Sequence, residues 1–298
     1  MSRIHDALKR AAAERASQTS ASSSEILADV TGPNHQLERR EDVLDTAPIN
    51  GNARPEAQVF SRFEELMRQC AHPKWKLDPL MSVFEGIHNE KIGAEPFRTL
   101  RSRLHQIART RKLKRILITS SVPAEGKSFV AANLAQSIIR KPDHRVLLID
   151  ADLRRSHLHV ALGAPAIPGL TDYLRGEADE RAIVQSGPDA NLCFIPGGSR
   201  VPNPSELLLN EKMSHLLNLV TPMFDFTILD SPPSTLVHDA SLLADLCDGV
   251  LFVVRAGMTS FELAQKAVAE FKEKNLLGVV LNGVEEKFAY APHYYKYR

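Results

Sequence analysis

Lys127 and Ser128 close the run SVPAEGKS, Ser121–Ser128, and a helical pattern opening FVAANLA follows at once. Glycine at 126 permits a tight backbone turn, and the amides of the loop and of the new helix face whatever anion sits there. An ammonium and a hydroxyl at the next two positions suit the β and γ oxygens of a nucleoside triphosphate and its Mg²⁺. Ser121, Val122, Pro123, Ala124, Glu125, Gly126, Lys127, Ser128 and Phe129 are therefore expected to line a nucleotide. Ser121 stands where the usual pattern opens with glycine, so the GKS core and its strand–loop–helix setting carry the reading.

Three aspartates could complete such a site. Asp150 and Asp152 lie two apart in LLIDADLRR, and Asp230 ends FTILD, where Ser231, Pro232 and Pro233 stop the strand. Each alone suits a turn or a helix cap. Three carboxylates near one Lys and one Ser repel one another and need a bound cation, which points to Mg²⁺ and ATP. Mg²⁺ is commonly held by one or two carboxylates with phosphate and water, so one carboxylate is spare as a base. Asp150 is expected to orient or deprotonate an acceptor hydroxyl. Asp152, Asp230 and Ser128 are expected as direct or water-mediated Mg²⁺ partners. Arg154 could touch phosphate or tether its loop, and Asn282, ending LLGVVLN, could line the adenine pocket.

Four of the five tyrosines, Tyr290, Tyr294, Tyr295 and Tyr297, fall in the last nine residues among His293, Lys296 and Arg298. Such a segment has little apolar surface to offset its ordering, so its phenols should be accessible. A phosphate-handling site followed by a tyrosine cluster suggests a kinase carrying its own substrate. A phenol, with a reference pKa of about 10, needs a base to attack phosphorus near neutral pH.

These residues need strand ends to hold them. The short aliphatic runs RILIT, RVLLID, LCFI, FTILD, GVLFVV and LLGVVL alternate with helical patterns near 128–139, 205–220, 240–246 and 260–272. Strands apolar on both faces, alternating with helices, predict an α/β P-loop NTPase fold with a mainly parallel sheet flanked by helices on both faces. Ligands in such sheets bind beyond the carboxyl ends of the strands, where every motif above falls. Residues 83–284 are expected to form this domain, and 285–298 a mobile Tyr-rich tail. Upstream, 1–16 reads as a short helix, 17–57 as a disordered linker rich in Ser, Asp, Asn and Pro, and 58–82 as a helical connector.

Lys plus Arg (37) and Asp plus Glu (36) nearly cancel, so no long-range field marks a general nucleic-acid binder. The three cysteines form no CxxC pair and read as reduced thiols. No run reaches the roughly 20 apolar residues of a membrane span. A cytoplasmic protein is expected, joined to a membrane through a partner at most. His157 and His159 alternate without a third ligand nearby, so no metal is assigned to them.

Together, SVPAEGKS, LLIDADLR, TILDSPP and the terminal tyrosines resemble the bacterial tyrosine kinases (BY-kinases) of capsule and exopolysaccharide assembly, over roughly Val83 to Arg298. PGGSRVPNPSELL, Pro196–Leu208, is similar to the family's loop between its second and third motifs, and MSRIHDALKRA to exosortase-associated members. The resemblance implies an ATP-dependent autokinase phosphorylating its own tail and cycling a ring-shaped homo-oligomer during polymer export. It also implies a membrane-spanning modulator on another polypeptide, inner-membrane association through it, and a cognate tyrosine phosphatase. EPFRTLR looks like the family's assembly motif, which assigns Glu95, Arg98 and Arg101, on a helix near 95–108, to subunit contacts. Pro96 suits that helix's first position, which would place Arg98 in the first turn.

Two other readings compete. Partitioning and division-site ATPases share the architecture but typically carry a second lysine five positions before the first, where this chain has Val122. A nucleotide-binding scaffold without transfer activity would keep the fold and lose turnover. No Asn-Lys-x-Asp base-reading motif points to a GTPase.

Overall fold

In a computed structural model, residues 55–84 and 93–284 are described. The expected N-terminal helix, most of the linker and all four tail tyrosines lie outside them. Chain order is α1 (Pro55–Gln69), α2 (Ala94–Thr110), β1 (Arg115–Ser120), α3 (Lys127–Ile139), β2 (Val146–Asp150), α4 (Leu158–Leu162), α5 (Leu170–Arg175) and α6 (Glu180–Ile183). Then follow β3 (Gln185–Ser186), β4 (Leu192–Ile195), α7 (Pro204–Leu208), α8 (Glu211–Val220), a 3-10 turn at Thr221–Met223, β5 (Phe226–Asp230), α9 (Asp239–Asp245), β6 (Gly249–Arg255), α10 (Phe261–Ala269) and β7 (Leu276–Asn282).

The sheet runs β3-β4-β2-β5-β1-β6-β7, parallel throughout except that β3 pairs antiparallel with β4. Alternation along the strands divides the core in two. Leu117, Leu147, Ile149, Leu229 and Phe252 point to one face, where Phe63, Leu66, Leu216, Leu243 and Ala267 cover them. Ile116, Ile118, Leu148, Ile228 and Val253 point to the other, against Phe97, Leu104 and a run of α3 buried without a break from Val130 to Ile138. Helices thus lie on both faces, as period-2 placement of two-sided apolar strands requires.

Three local features depart from expectation. The stretch 205–220 is two helices, because Asn210 takes an extended conformation and caps the second by accepting a hydrogen bond from the Lys212 amide (3.0 Å). Ser260 caps α10 through the Leu263 amide, and α10 ends at Ala269, short of 272. α2 starts at Ala94, so Pro96 is its third residue and Arg98 lies beyond the first turn. Proline still fits there, since the first four amides of a helix have no intrahelical acceptor.

The segment from Cys70 to Phe84 straps the domain. Ala71 bridges to Gln185 at the β3 edge, and Trp75 meets Phe194 edge to face, with ring centroids 6.0 Å apart. The Asp78 amide donates to Ala161 O (3.0 Å). On α3, Asn133 Oδ1 accepts from the Val83 amide (2.8 Å) and Gln136 Oε1 from Ser82 Oγ (2.6 Å).

Candidate active site

β1, β2 and β5 are adjacent, so their carboxyl ends bring the P-loop and both acidic motifs together. Asp150 and Asp230 are register partners on β2 and β5, and both are buried. Lys127, at the first turn of α3, reaches Asp152 Oδ2 at 3.2 Å. Burial alone would discharge this ammonium, but Asp230 and Asp152 outweigh it and hold Lys127 above its ordinary pKa.

The carboxylates differ in their support. Asp150 Oδ2 accepts from Ser156 Oγ (2.7 Å) and the Leu158 amide (3.1 Å), and Oδ1 from the Asp152 amide (3.2 Å). Burial and the charge of Asp230 nevertheless push its carboxyl up to about 8. Burial also raises Asp230, against the pull of Lys127 and a hydrogen bond from Ser128. Asp230 Oδ1 is buried with no hydrogen-bond partner among the described residues. Such an orphan is costly unless something binds it. With the Ser128 hydroxyl alongside, it fits a small hard cation. Among the described residues no three acidic, imidazole or thiol groups converge as a metal cage, so such a cation would depend on phosphate oxygens and water for the rest of its shell.

The P-loop is braced from three sides. Ala124 (φ 64°) and Gly126 (φ 91°) both adopt left-handed backbone conformations, which for a non-glycine residue requires support. Glu125, fully buried, accepts from the Val122 amide (2.7 Å) on one oxygen and from Thr259 Oγ1 (2.5 Å) on the other. Arg255 donates to Ala124 O (3.0 Å), and Thr235 Oγ1 to Ser121 O (2.5 Å). Asn282 Nδ2 donates to Glu125 O (2.9 Å), and a Cβ at Gly126 would come within 2.0 Å of it. Asn282 thus holds the loop, a contact distinct from the adenine-lining role anticipated for it.

Arg154 turns to Asp239 and Ser205, in the loop-tethering arrangement that was one of its two alternatives. Glu95 and Arg98 pair on the exposed face of α2 at 3.3 Å. Arg101 turns inward instead and donates to Ser137 O on α3 (2.6 Å). His159 Nδ1 lies 3.4 Å from Ser156 Oγ.

Ser156, Thr235 and Thr259 escaped the sequence reading. Each is a loop hydroxyl outside any motif, two of them beside a second hydroxyl (Ser234 and Ser260), and only the tertiary approach of that loop identifies it. Gly197 carries a trace of such an approach: a Cβ there would lie 2.7 Å from Ser156 Oγ.

Residues 116–294 match the family model described as the CobQ/CobB/MinD/ParA nucleotide binding domain. The chain is 36% identical over 197 residues to the tyrosine-protein kinase YwqD of Bacillus subtilis, covering 65% of this chain and 82% of YwqD. It is 34% identical to the tyrosine-protein kinase CpsD of Streptococcus agalactiae, covering 68% of this chain and 88% of CpsD. This chain belongs to the bacterial tyrosine kinases. It spans 27% of the tyrosine-protein kinase wzc of Salmonella typhimurium, at 32% identity. The kinase domain of the Escherichia coli tyrosine kinase ETK superposes with a TM-score of 0.66 at 30% identity, covering 74% of this chain and 86% of that domain. Membership of the BY-kinases makes this chain a protein-tyrosine kinase with a nucleotide-binding domain.

Proposed function

We propose that the chain is an ATP- and Mg²⁺-dependent tyrosine autokinase that phosphorylates Tyr290, Tyr294, Tyr295 and Tyr297 on neighbouring copies of itself. The observation that carries this reading is the grouping of Lys127 with Asp150, Asp152 and Asp230 at adjacent strand ends, with one Asp230 oxygen left unpartnered. Lys127 and the loop amides bind the triphosphate. Ser128 and Asp230, with Asp152, would hold Mg²⁺, which when bound supplies charge neutralisation to the phosphates.

In the transfer, the acceptor phenol oxygen bonds to the γ phosphorus and the bond to the β–γ bridging oxygen breaks, leaving ADP. The phenolic proton passes to Asp150. In the nucleotide-free protein its raised pKa keeps the carboxyl largely protonated below about pH 8, so it serves as base in its ionised form, which Mg²⁺, when bound, would favour. Ser156 and the Leu158 amide hold that carboxylate in place.

The exposed Glu95–Arg98 pair favours a subunit contact on α2, whereas Arg101 supports it from behind by fixing α2 on α3. Family membership further favours a role in capsule or exopolysaccharide export, a membrane-spanning modulator holding the kinase at the inner membrane, and a phosphatase that resets it. Each phosphotyrosine adds about −1.5 to −2 charges, and several on one short tail would loosen a ring.

Peptide mass spectrometry after incubation with Mg²⁺-ATP, and with the modulator's cytoplasmic segment added, tests the reading. Phosphate on Tyr290–Tyr297 in the wild type and none in Lys127→Met is expected. Bound ATP with no phosphate on either would replace the autokinase with a nucleotide-binding scaffold.

A further inference from the structure

We propose that Arg154, Ser205 and Asp239 form a clamp that fixes the surface presenting the acceptor tyrosine, making Arg154 a positioning residue for the acceptor rather than a phosphate ligand. Arg154 Nε donates to Asp239 Oδ2 at 2.8 Å, and Nη2 donates to Ser205 Oγ at 2.8 Å and to Asp239 Oδ1 at 3.4 Å. Ser205 Oγ in turn donates to Asp239 Oδ1 at 2.5 Å. Asp239 is 1% exposed, so its charge needs this guanidinium, and a planar fork serves two acceptors where a lysine serves one point.

The clamp ties three segments, each leaving the carboxyl end of a different strand. Arg154 follows the β2 motif of Asp150 and Asp152, Ser205 follows the Pro196–Asn203 loop after β4, and Asp239 follows the turn after Asp230. The loop after β4 also presses on the base, because Gly197 lies against Ser156, the hydroxyl that holds Asp150. The turn after Asp230 contacts the P-loop through Thr235. Between Thr235 and Asp239 stands Leu236, 62% exposed, and Leu209 just past α7 is 64% exposed. Leu236, one residue from the Thr235 contact with the P-loop, offers an exposed apolar side chain that suits a phenol ring. The occupant is the Tyr-rich tail of a second copy of this chain, so the inference rests on the kinase reading.

The test uses the full chain as enzyme, with its four tail tyrosines changed to Phe, and full-length Lys127→Met chain as acceptor. Arg154→Ala is expected to raise the KM for acceptor about tenfold while leaving the KM for ATP within about twofold. Arg154→Lys should not restore it, since one ammonium cannot reproduce both contacts. Leu236→Ser, a surface change independent of the clamp's folding role, should raise acceptor KM about fivefold with kcat retained. A rise in the KM for ATP with acceptor KM unchanged would make Arg154 a phosphate ligand and overturn the proposal. So would unchanged acceptor KM in both Arg154→Ala and Leu236→Ser. No transfer by the unsubstituted site would sink the kinase reading instead.

Discussion

Asp150 and Asp230 are register partners on adjacent parallel strands, buried together with Lys127 as the nearby cation. Two carboxyls so placed resist ionising together, and burial raises both.

That burial sets a pH dependence of stability. Asp150's folded pKa lies above its unfolded value, so the folded state binds the extra proton between about 4 and about 8. In this window its contribution to stability falls as pH rises. Nucleotide-free protein carrying Asp150→Asn should lose much of that slope and melt higher than wild type at pH 8. Chemical denaturation at pH 5 and pH 8 checks this, and an undiminished slope would contradict it.

His105 acts in the opposite sense. Burial, with His144, Lys141 and Arg101 nearby, lowers its pKa to about 4. The unfolded chain therefore takes up a proton first as pH falls below about 6.5, and His105's contribution fades from there to about 4. His105→Phe should reduce that acid sensitivity in melting scans between pH 7 and pH 5.

Removing Lys127 strands Asp152 and Asp230 without their cation. Lys127→Met should lower the stability of the nucleotide-free protein by up to about 3 kcal/mol, as expected when one partner of a buried pair is lost. Adding Asp152→Asn should recover part of that loss, a non-additivity measurable by a double-mutant cycle in urea. Strict additivity would mean that the 3.2 Å contact contributes no coupling.

Glu125 holds the Val122 amide and Thr259 at once, so the P-loop is tied to the turn after β6. Thr259→Val keeps the shape and removes the hydroxyl. It should raise the KM for ATP about tenfold, equivalent to about 1.4 kcal/mol, and Thr259→Ser should restore it. Equal ATP kinetics in all three proteins would rule the brace out as a determinant of binding.

Gly163 ends α4 with φ 61°, and a Cβ there would sit 2.1 Å from Lys76 O. Gly163→Ala should therefore cost more than the roughly 1 kcal/mol of a strained left-handed residue, because the strap backbone must also move. Hydrogen exchange should show the Asp78 amide, bonded to Ala161 O, losing protection first.

The sequence by itself determined the sheet and the chemistry. Six apolar runs became six strands, five of them buried on both faces and β7 half-open at the sheet edge, where Val279 and Leu281 are exposed. The GKS loop and the aspartates at strand ends were legible because a parallel sheet puts all its carboxyl ends on one edge. What the tertiary structure decided were contacts between residues distant in the chain. Two-residue β3 carries too little pattern to be read, and exists because β4 and Ala71 offer it hydrogen bonds. Arg154 reads in sequence as touching phosphate or tethering its loop, and the anchor of that tether, the buried carboxylate of Asp239, lies 85 residues away. Arg101 matched a surface motif, yet the approach of α3 turns it inward to Ser137 O. A side chain's type and local spacing say what it can bind, whereas its actual partner depends on which distant loop packs beside it.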